Sequence, residues 1–326
     1  MDWSETRKKL LSLGKGCRRD GAEPVEGSGG EFAICLDPGI YRRGASDVAH
    51  APRRVIPTPR AASLCIASGK GGTGKSVVTA SLSSLFSARG QTLIVDADLG
   101  VGNAHILQDV SPLKSFVEVV EGESQVRDVL AACSERCDLL AGGSGIPRMA
   151  ALSDYELHLI AEGIQELESE YRFMLVDSAA GVSRQTMAFA RGCDLTLVVT
   201  TPDLTAMTDA YAFVKVLVGK KPQSRPLLLV NRARSETEAN EVSKRIQRVC
   251  QRFLGSAPKY IGWLPDDDKV IDCVNRRGAV SLLEPYAESS RALRKLAVVL
   301  LEELGKLHSA GLGRSLVDIV EYSRDR

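Results

Sequence analysis

The residues most able to do chemistry are Gly69-Lys70-Gly71-Gly72-Thr73-Gly74-Lys75-Ser76. They fit G-x-x-x-x-G-K-[ST], the spacing of a phosphate-cradling loop. Glycines let consecutive backbone N–H groups turn inward towards an anion. A helix opening directly after the loop adds unpaired N–H groups and the positive end of its dipole. In that arrangement Lys75 reaches the β- and γ-phosphates, the Ser76 hydroxyl meets Mg²⁺, and Gly69 through Val77 wrap the phosphates.

Two acidic motifs accompany the loop. Asp96-Ala97-Asp98 closes an apolar run, and two carboxylates beside a triphosphate can serve a metal shell and an attacking water. Phe173-Met174-Leu175-Val176-Asp177 closes another on a single aspartate, the Walker B pattern that holds Mg²⁺ through water. Further on, the sequence Asn231-Arg232-Ala233-Arg234 departs from N-K-x-D, the pattern that reads guanine, and so favours ATP over GTP.

The elements that must position these residues alternate from residue 63 onward. Strands are expected at 63–68, 92–97, 138–141, 172–177, 195–200, 227–231 and 259–264, with helices between them. Several are continuous apolar runs, as in strands covered on both faces. The implied fold is α/β, a mostly parallel twisted sheet with helices on both faces, in one domain over about 61–305. Ligands of such sheets sit outside the carboxyl ends of the strands, where the acidic motifs fall. Ser153-Asp154-Tyr155-Glu156 predicts a capping box at a helix start.

Both ends of the chain read differently. Residues 1–60 are rich in Gly, Pro and Arg and are expected to form a flexible extension, with a short helix over 2–13 and an apolar island at Glu31–Leu36. Residues 306–326 make an amphipathic tail helix, with Leu312, Leu316, Ile319 and Val320 on its apolar side beside Arg314, Asp318 and Glu321. Two readings stand for it: a lipid-facing anchor, or a helix packed on the domain or on a partner.

Composition excludes some classes. With 44% hydrophobic and 25% charged residues and a formal net charge of +1, the 326-residue chain has no global field to draw it to nucleic acid. No apolar run is long enough for a membrane span, and residues 1–9 lack the apolar region of a signal peptide, which points to the cytoplasm. Eight dispersed cysteines suit buried, reduced thiols, and Cys133/Cys137 as a lone C-x₃-C is weak metal evidence. The four histidines are scattered and suggest no metal site. Lys244, Arg245, Arg248 and Arg252 share a predicted helix, which reads as a solvated face, so DNA is not an expected partner.

The loop's second lysine, Lys70, is not needed by an ordinary P-loop. G-K-G-G-x-G-K-[ST] resembles the deviant Walker A loop of the MinD/ParA family. The run Val199–Lys215, with D-A-D-L-G, D-S-A-A-G and L-L-V-N-R-A, is similar to the FlhG (FleN) branch, the flagellar-number regulators, over roughly 63–305.

The resemblance implies a MinD-type P-loop ATPase with ATP and Mg²⁺ as cofactors. It implies catalysis by Asp98, which positions the water, and by Lys70, which reaches across an ATP-dependent homodimer. It further implies Mg²⁺ support from Ser76, Asp96 and Asp177, a switch role for Asn103, and adenine contacts from Asn231, Pro265 and Asp266. The implied partners are an SRP-type GTPase or flagellar transcription and assembly factors, with peripheral membrane contact at the inner face. Ala179 departs from the family's usual D-x-[PG]-A-G, and the amino-terminal D-Q-A-x-x-L-R motif that stimulates the GTPase is absent. The competing reading is a ParA-like partitioning ATPase that binds DNA nonspecifically. An iron–sulfur carrier lacks a convincing cysteine pair.

Overall fold

A computed structural model describes residues 60–143 and 145–324. The expectations for residues 1–59, including the short helix and the apolar island, lie outside the described residues.

Eight strands form one sheet in the order β3-β4-β2-β5-β1-β6-β7-β8. They are β1 (Ala62–Ser68), β2 (Thr92–Ala97), β3 (Leu130–Ser134), β4 (Cys137–Leu140), β5 (Phe173–Ala180), β6 (Leu195–Thr200), β7 (Leu227–Ala233) and β8 (Lys259–Pro265). Every pairing is parallel except β3 with β4. The apolar run of β1 divides between the two faces by the period-2 rule: Cys65 and Ala67 enter one core, Leu64 and Ile66 the other.

The helices are α1 (Lys75–Ser87), α2 (Ala104–Leu107), α3 (Phe116–Val120), α4 (Asp154–Leu167), α5 (Arg184–Gly192), α6 (Leu204–Lys220), α7 (Glu236–Leu254), α8 (Asp268–Asn275), α9 (Val280–Leu283), α10 (Glu288–Gly305) and α11 (Leu312–Arg324). α4 to α7 and α11 cover one face; α1, α9 and α10 cover the other. The capping box at Ser153 forms: its hydroxyl accepts from the Glu156 amide at 3.3 Å, and the Glu156 carboxylate accepts from the Ser153 amide at 2.7 Å.

Two differences from the expected elements have physical causes. β3 is absent from the sequence expectation, because Leu-Ala-Ala-Cys-Ser has little β-branched or aromatic content. It forms as an antiparallel edge folded back on β4. β5 runs three residues past Asp177, so that carboxylate sits within a strand, directly opposite Asp96 of β2. For the tail, the packed one of the two expected readings is seen: the helix starts at residue 312 and not 306, and it docks on the domain, with Leu312, Leu316 and Val320 buried in the core shared with α4 and α5. Glu168, itself buried, accepts from the Gly313 amide at 2.6 Å. That bond places a carboxylate at the positive end of α11.

Candidate functional site

The P-loop bridges β1 and α1. Gly72 and Gly74 have φ of 78° and 90°, values that favour glycine. Gly74 closes the loop as the residue before α1, and no side chain caps that helix end. Its amides are therefore left for an anion. A side chain at Gly74 would also strike the Asn231 amide nitrogen, at 2.3 Å, and one at Gly69 would strike the Asp209 backbone, at 2.0 Å. The loop is thus seated between α6 and the end of β7. The Ser68 hydroxyl donates to the Lys70 carbonyl at 2.6 Å.

Beneath the loop lies a buried polar floor. Asp96 and Asp177 are each 1% exposed and are register neighbours on β2 and β5. Asp177 accepts hydrogen bonds from the Ser76 and Thr79 hydroxyls. Burial pushes its carboxyl up to about 6, against the pull of the Ser76 bond and the Lys75 charge. Asp96 is also raised well above the usual carboxylate range, by burial first and then by the Asp177 charge. Its oxygens accept from the Asp98 and Ala104 amides, both at 3.2 Å. Lys75 is buried beside Asp177 and Asp98, and burial lowers its affinity for a proton.

Around this floor runs an exposed rim. Lys70 is exposed, and its Nζ donates to the Thr205 hydroxyl at 2.7 Å. Asp98 is partly exposed and accepts from the Val101 amide at 3.3 Å. Asn103 is exposed at the start of α2, and its side chain makes no cap bond there. Val101 and Leu204 present apolar surface, Leu204 at 75% exposure.

The residues expected to clasp adenine are placed less directly. Asn231 is buried; its amide nitrogen donates to the Thr73 carbonyl at 2.8 Å and its oxygen accepts from the Arg232 amide at 3.0 Å. In this structure it braces the P-loop. Asp266 pairs with Arg232 at 3.0 Å beside a cavity of about 350 Å³ at the ends of β6, β7 and β8, lined also by Thr201, Asp203, Arg234 and Glu238. Pro265 closes β8 and lines a separate groove along that edge strand.

Sequence reasoning missed three members of the site. Thr79 lies one helical turn beyond Ser76, a spacing that puts both hydroxyls on one face of α1. Thr205 and Asp209 belong to the Val199–Lys215 run, whose proximity to the P-loop depends on the β1–β6 pairing.

The floor fits a metal-bound triphosphate. Two adjacent buried carboxylates and a buried ammonium leave a charge arrangement that a phosphate-bound divalent cation completes. The Thr73 hydroxyl is buried without a partner, and a side chain at Gly71 or Gly72 would meet only open space. Among the described residues no group of three or more His, Cys, Asp or Glu could hold a metal ion by itself. Mg²⁺ held largely by phosphates, a hydroxyl and waters needs no such cage.

Comparison with known proteins agrees with this geometry. Residues 64–280 match the CbiA family, the CobQ/CobB/MinD/ParA nucleotide-binding domain. The antiactivator FleN of Pseudomonas aeruginosa is 29% identical over 235 residues, 72% of this chain and 84% of that protein. The flagellum site-determining protein YlxH of Helicobacter pylori is 27% identical over 246 residues, 74% of this chain and 82% of that protein. The septum site-determining protein MinD of Pyrococcus horikoshii, solved with Mg-ADP, superposes with a TM-score of 0.64 at 25% identity, covering 76% of this chain and 98% of that one. With the deviant loop, the buried acidic floor and the parallel sheet in place, the chain belongs to the MinD/ParA family of nucleotide-binding ATPases.

Proposed function

We propose that the chain is an ATP-switched regulatory ATPase that dimerises around its nucleotide. The observation that carries this reading is the contrast within one loop between buried Lys75 and exposed Lys70, whose ammonium rests, among the described residues, on a single neutral hydroxyl. A lysine so weakly held is free to turn towards a phosphate on a facing chain. The apolar side chains of Val101 and Leu204 on the same rim suit a surface that a second copy covers.

In this reading Gly69–Val77 bind the triphosphate, and Lys75 neutralises the β- and γ-oxygens. Ser76, with Asp177 behind it, holds Mg²⁺, which supplies charge neutralisation for phosphoryl transfer. Asp96 fixes the Asp98 and Ala104 amides, and so the path of the switch segment. Asp98 orients the attacking water, and Lys70 completes the partner's site. Hydrolysis then returns monomers.

The similarity to YlxH, a flagellum site-determining protein, supports flagellar number or placement as the controlled process, and the similarity to the antiactivator FleN supports a regulatory output. Binding to flagellar factors or an SRP-type GTPase is the output that follows. Among the described residues no helix is long and apolar enough to cross a membrane. The apolar residues of α11 face the core, so contact with lipid through α11 requires that helix to leave its site on α4 and α5. Vesicle flotation of the Asp98→Ala chain with ATP and with ADP tests this step. ATP-dependent flotation that a Leu316→Glu substitution abolishes is expected. Failure to float in either state removes the membrane from the reading.

A further inference from the structure

α7 presents an outward face with no role in the chemistry above. Its inward residues Ala239, Val242, Ile246 and Cys250 enter the core. Residues 245, 248, 249, 252 and 253 recur at helical spacing on the other side. Val249 is 39% and Phe253 64% exposed. The Arg252 guanidinium lies over the Phe253 ring, 5.4 Å from its centroid. Tyr211 of α6 meets the same ring edge-on at 6.5 Å. Lys215, one turn beyond Tyr211, is exposed.

Charge is concentrated here. From Val242 to Pro265 the chain carries Lys244, Arg245, Arg248, Arg252 and Lys259 and no acidic residue, although its net charge is only +1. Arg245 is weakly paired with Glu241, at 3.9 Å. Among the described residues Lys215, Lys244 and Arg248 have no carboxylate within ion-pair distance.

The combination selects an occupant. Duplex DNA would use the cations and gain nothing from Phe253 and Val249. A bilayer surface favours a broad apolar stripe, whereas this patch is small and already framed by Arg252 and Tyr211. Aromatic and arginine side chains on a compact apolar spot are what protein interfaces concentrate at their centres. We infer that Tyr211, Lys215, Arg248, Val249, Arg252 and Phe253 form the docking surface for an acidic segment of a partner protein, anchored by one bulky apolar side chain. None of these six residues belongs to the P-loop, the floor or the rim, although Tyr211 follows two residues after Asp209, which packs on Gly69.

The test is peptide display on the full chain with ATP and with ADP. Enriched peptides are then resynthesised and titrated against the wild type, Phe253→Ser and Arg252→Glu. Peptides that pair Asp or Glu with Leu, Ile or Phe are expected. Each variant should weaken them at least about tenfold, as a hot-spot residue does, while ATP turnover stays unchanged. Enrichment without an acidic and apolar pattern, or equal binding to the variants, overturns the inference. So does binding of phosphatidylglycerol vesicles or duplex DNA that the same substitutions abolish while peptide binding persists.

Discussion

The floor and the rim of the nucleotide site are built on different principles. On the floor, Lys75, Asp96, Asp177 and Thr79 are buried and find their partners within one chain. On the rim, Lys70, Asp98, Val101 and Leu204 are exposed or partly exposed, and among the described residues the Lys70 ammonium bonds only to the Thr205 hydroxyl. Buried charges must be paired or neutralised to be tolerated, so the floor is largely determined before any ligand arrives. An exposed lysine can exchange one partner for another at little cost. The floor therefore suits recognition of a metal-bound phosphate, and the rim suits a decision that depends on a second molecule.

Substitutions should separate the two, the floor giving the larger effects. Lys75→Ala removes the buried cation facing two carboxylates and is expected to weaken ATP binding by about 100-fold or more, some 3 kcal/mol. Fluorescent-nucleotide titration checks this, and unchanged affinity would break the distinction.

Asp177→Asn is expected to abolish Mg²⁺-dependent ATP turnover yet stabilise the ligand-free protein. The sign follows from its raised carboxyl. The folded state holds that proton up to about pH 6, whereas an unfolded aspartate releases it near pH 4. Between those values stability falls as pH rises, and the penalty is fully present at neutral pH. Relief of order 1–3 kcal/mol would raise the melting temperature by a few degrees at pH 7. The gain should vanish below about pH 4, which thermal scans across pH would show.

The rim gives subtler outcomes. Asp98→Ala should reduce turnover by roughly 100-fold, within the range for loss of one acid–base group, while ATP affinity stays within about threefold of wild type. Single-turnover assays beside binding titrations check this. Smallest of all, Thr205→Val removes a hydrogen bond between exposed groups. It should change stability by less than about 1 kcal/mol while freeing Lys70 and shifting the monomer–dimer balance.

The same contrast explains what the sequence could tell. The P-loop, D-x-D and the apolar run ending in Asp177 are legible because each is a local pattern on a strand end or helix start. The β2–β5 register that places Asp96 against Asp177 was not written in either motif. Nor was the turn of Asn231 towards Thr73, which depends on β7 lying beside the loop. The apolar face of α11 was visible from its spacing, but whether lipid or protein covers it depends on a groove formed by α4 and α5, more than 100 residues earlier in the chain. β3 escaped notice because its short, alanine-rich sequence has no strand signal of its own.

The central claim is that Lys70 acts between chains and Lys75 within one. Analytical ultracentrifugation of Asp98→Ala, with ATP, with ADP and without nucleotide, tests it most directly when repeated with Lys70→Ala added. The account predicts a dimer with ATP alone, lost on Lys70→Ala although the nucleotide still binds. An ATP dimer that survives Lys70→Ala unchanged, or no nucleotide-dependent dimer at all, would contradict it.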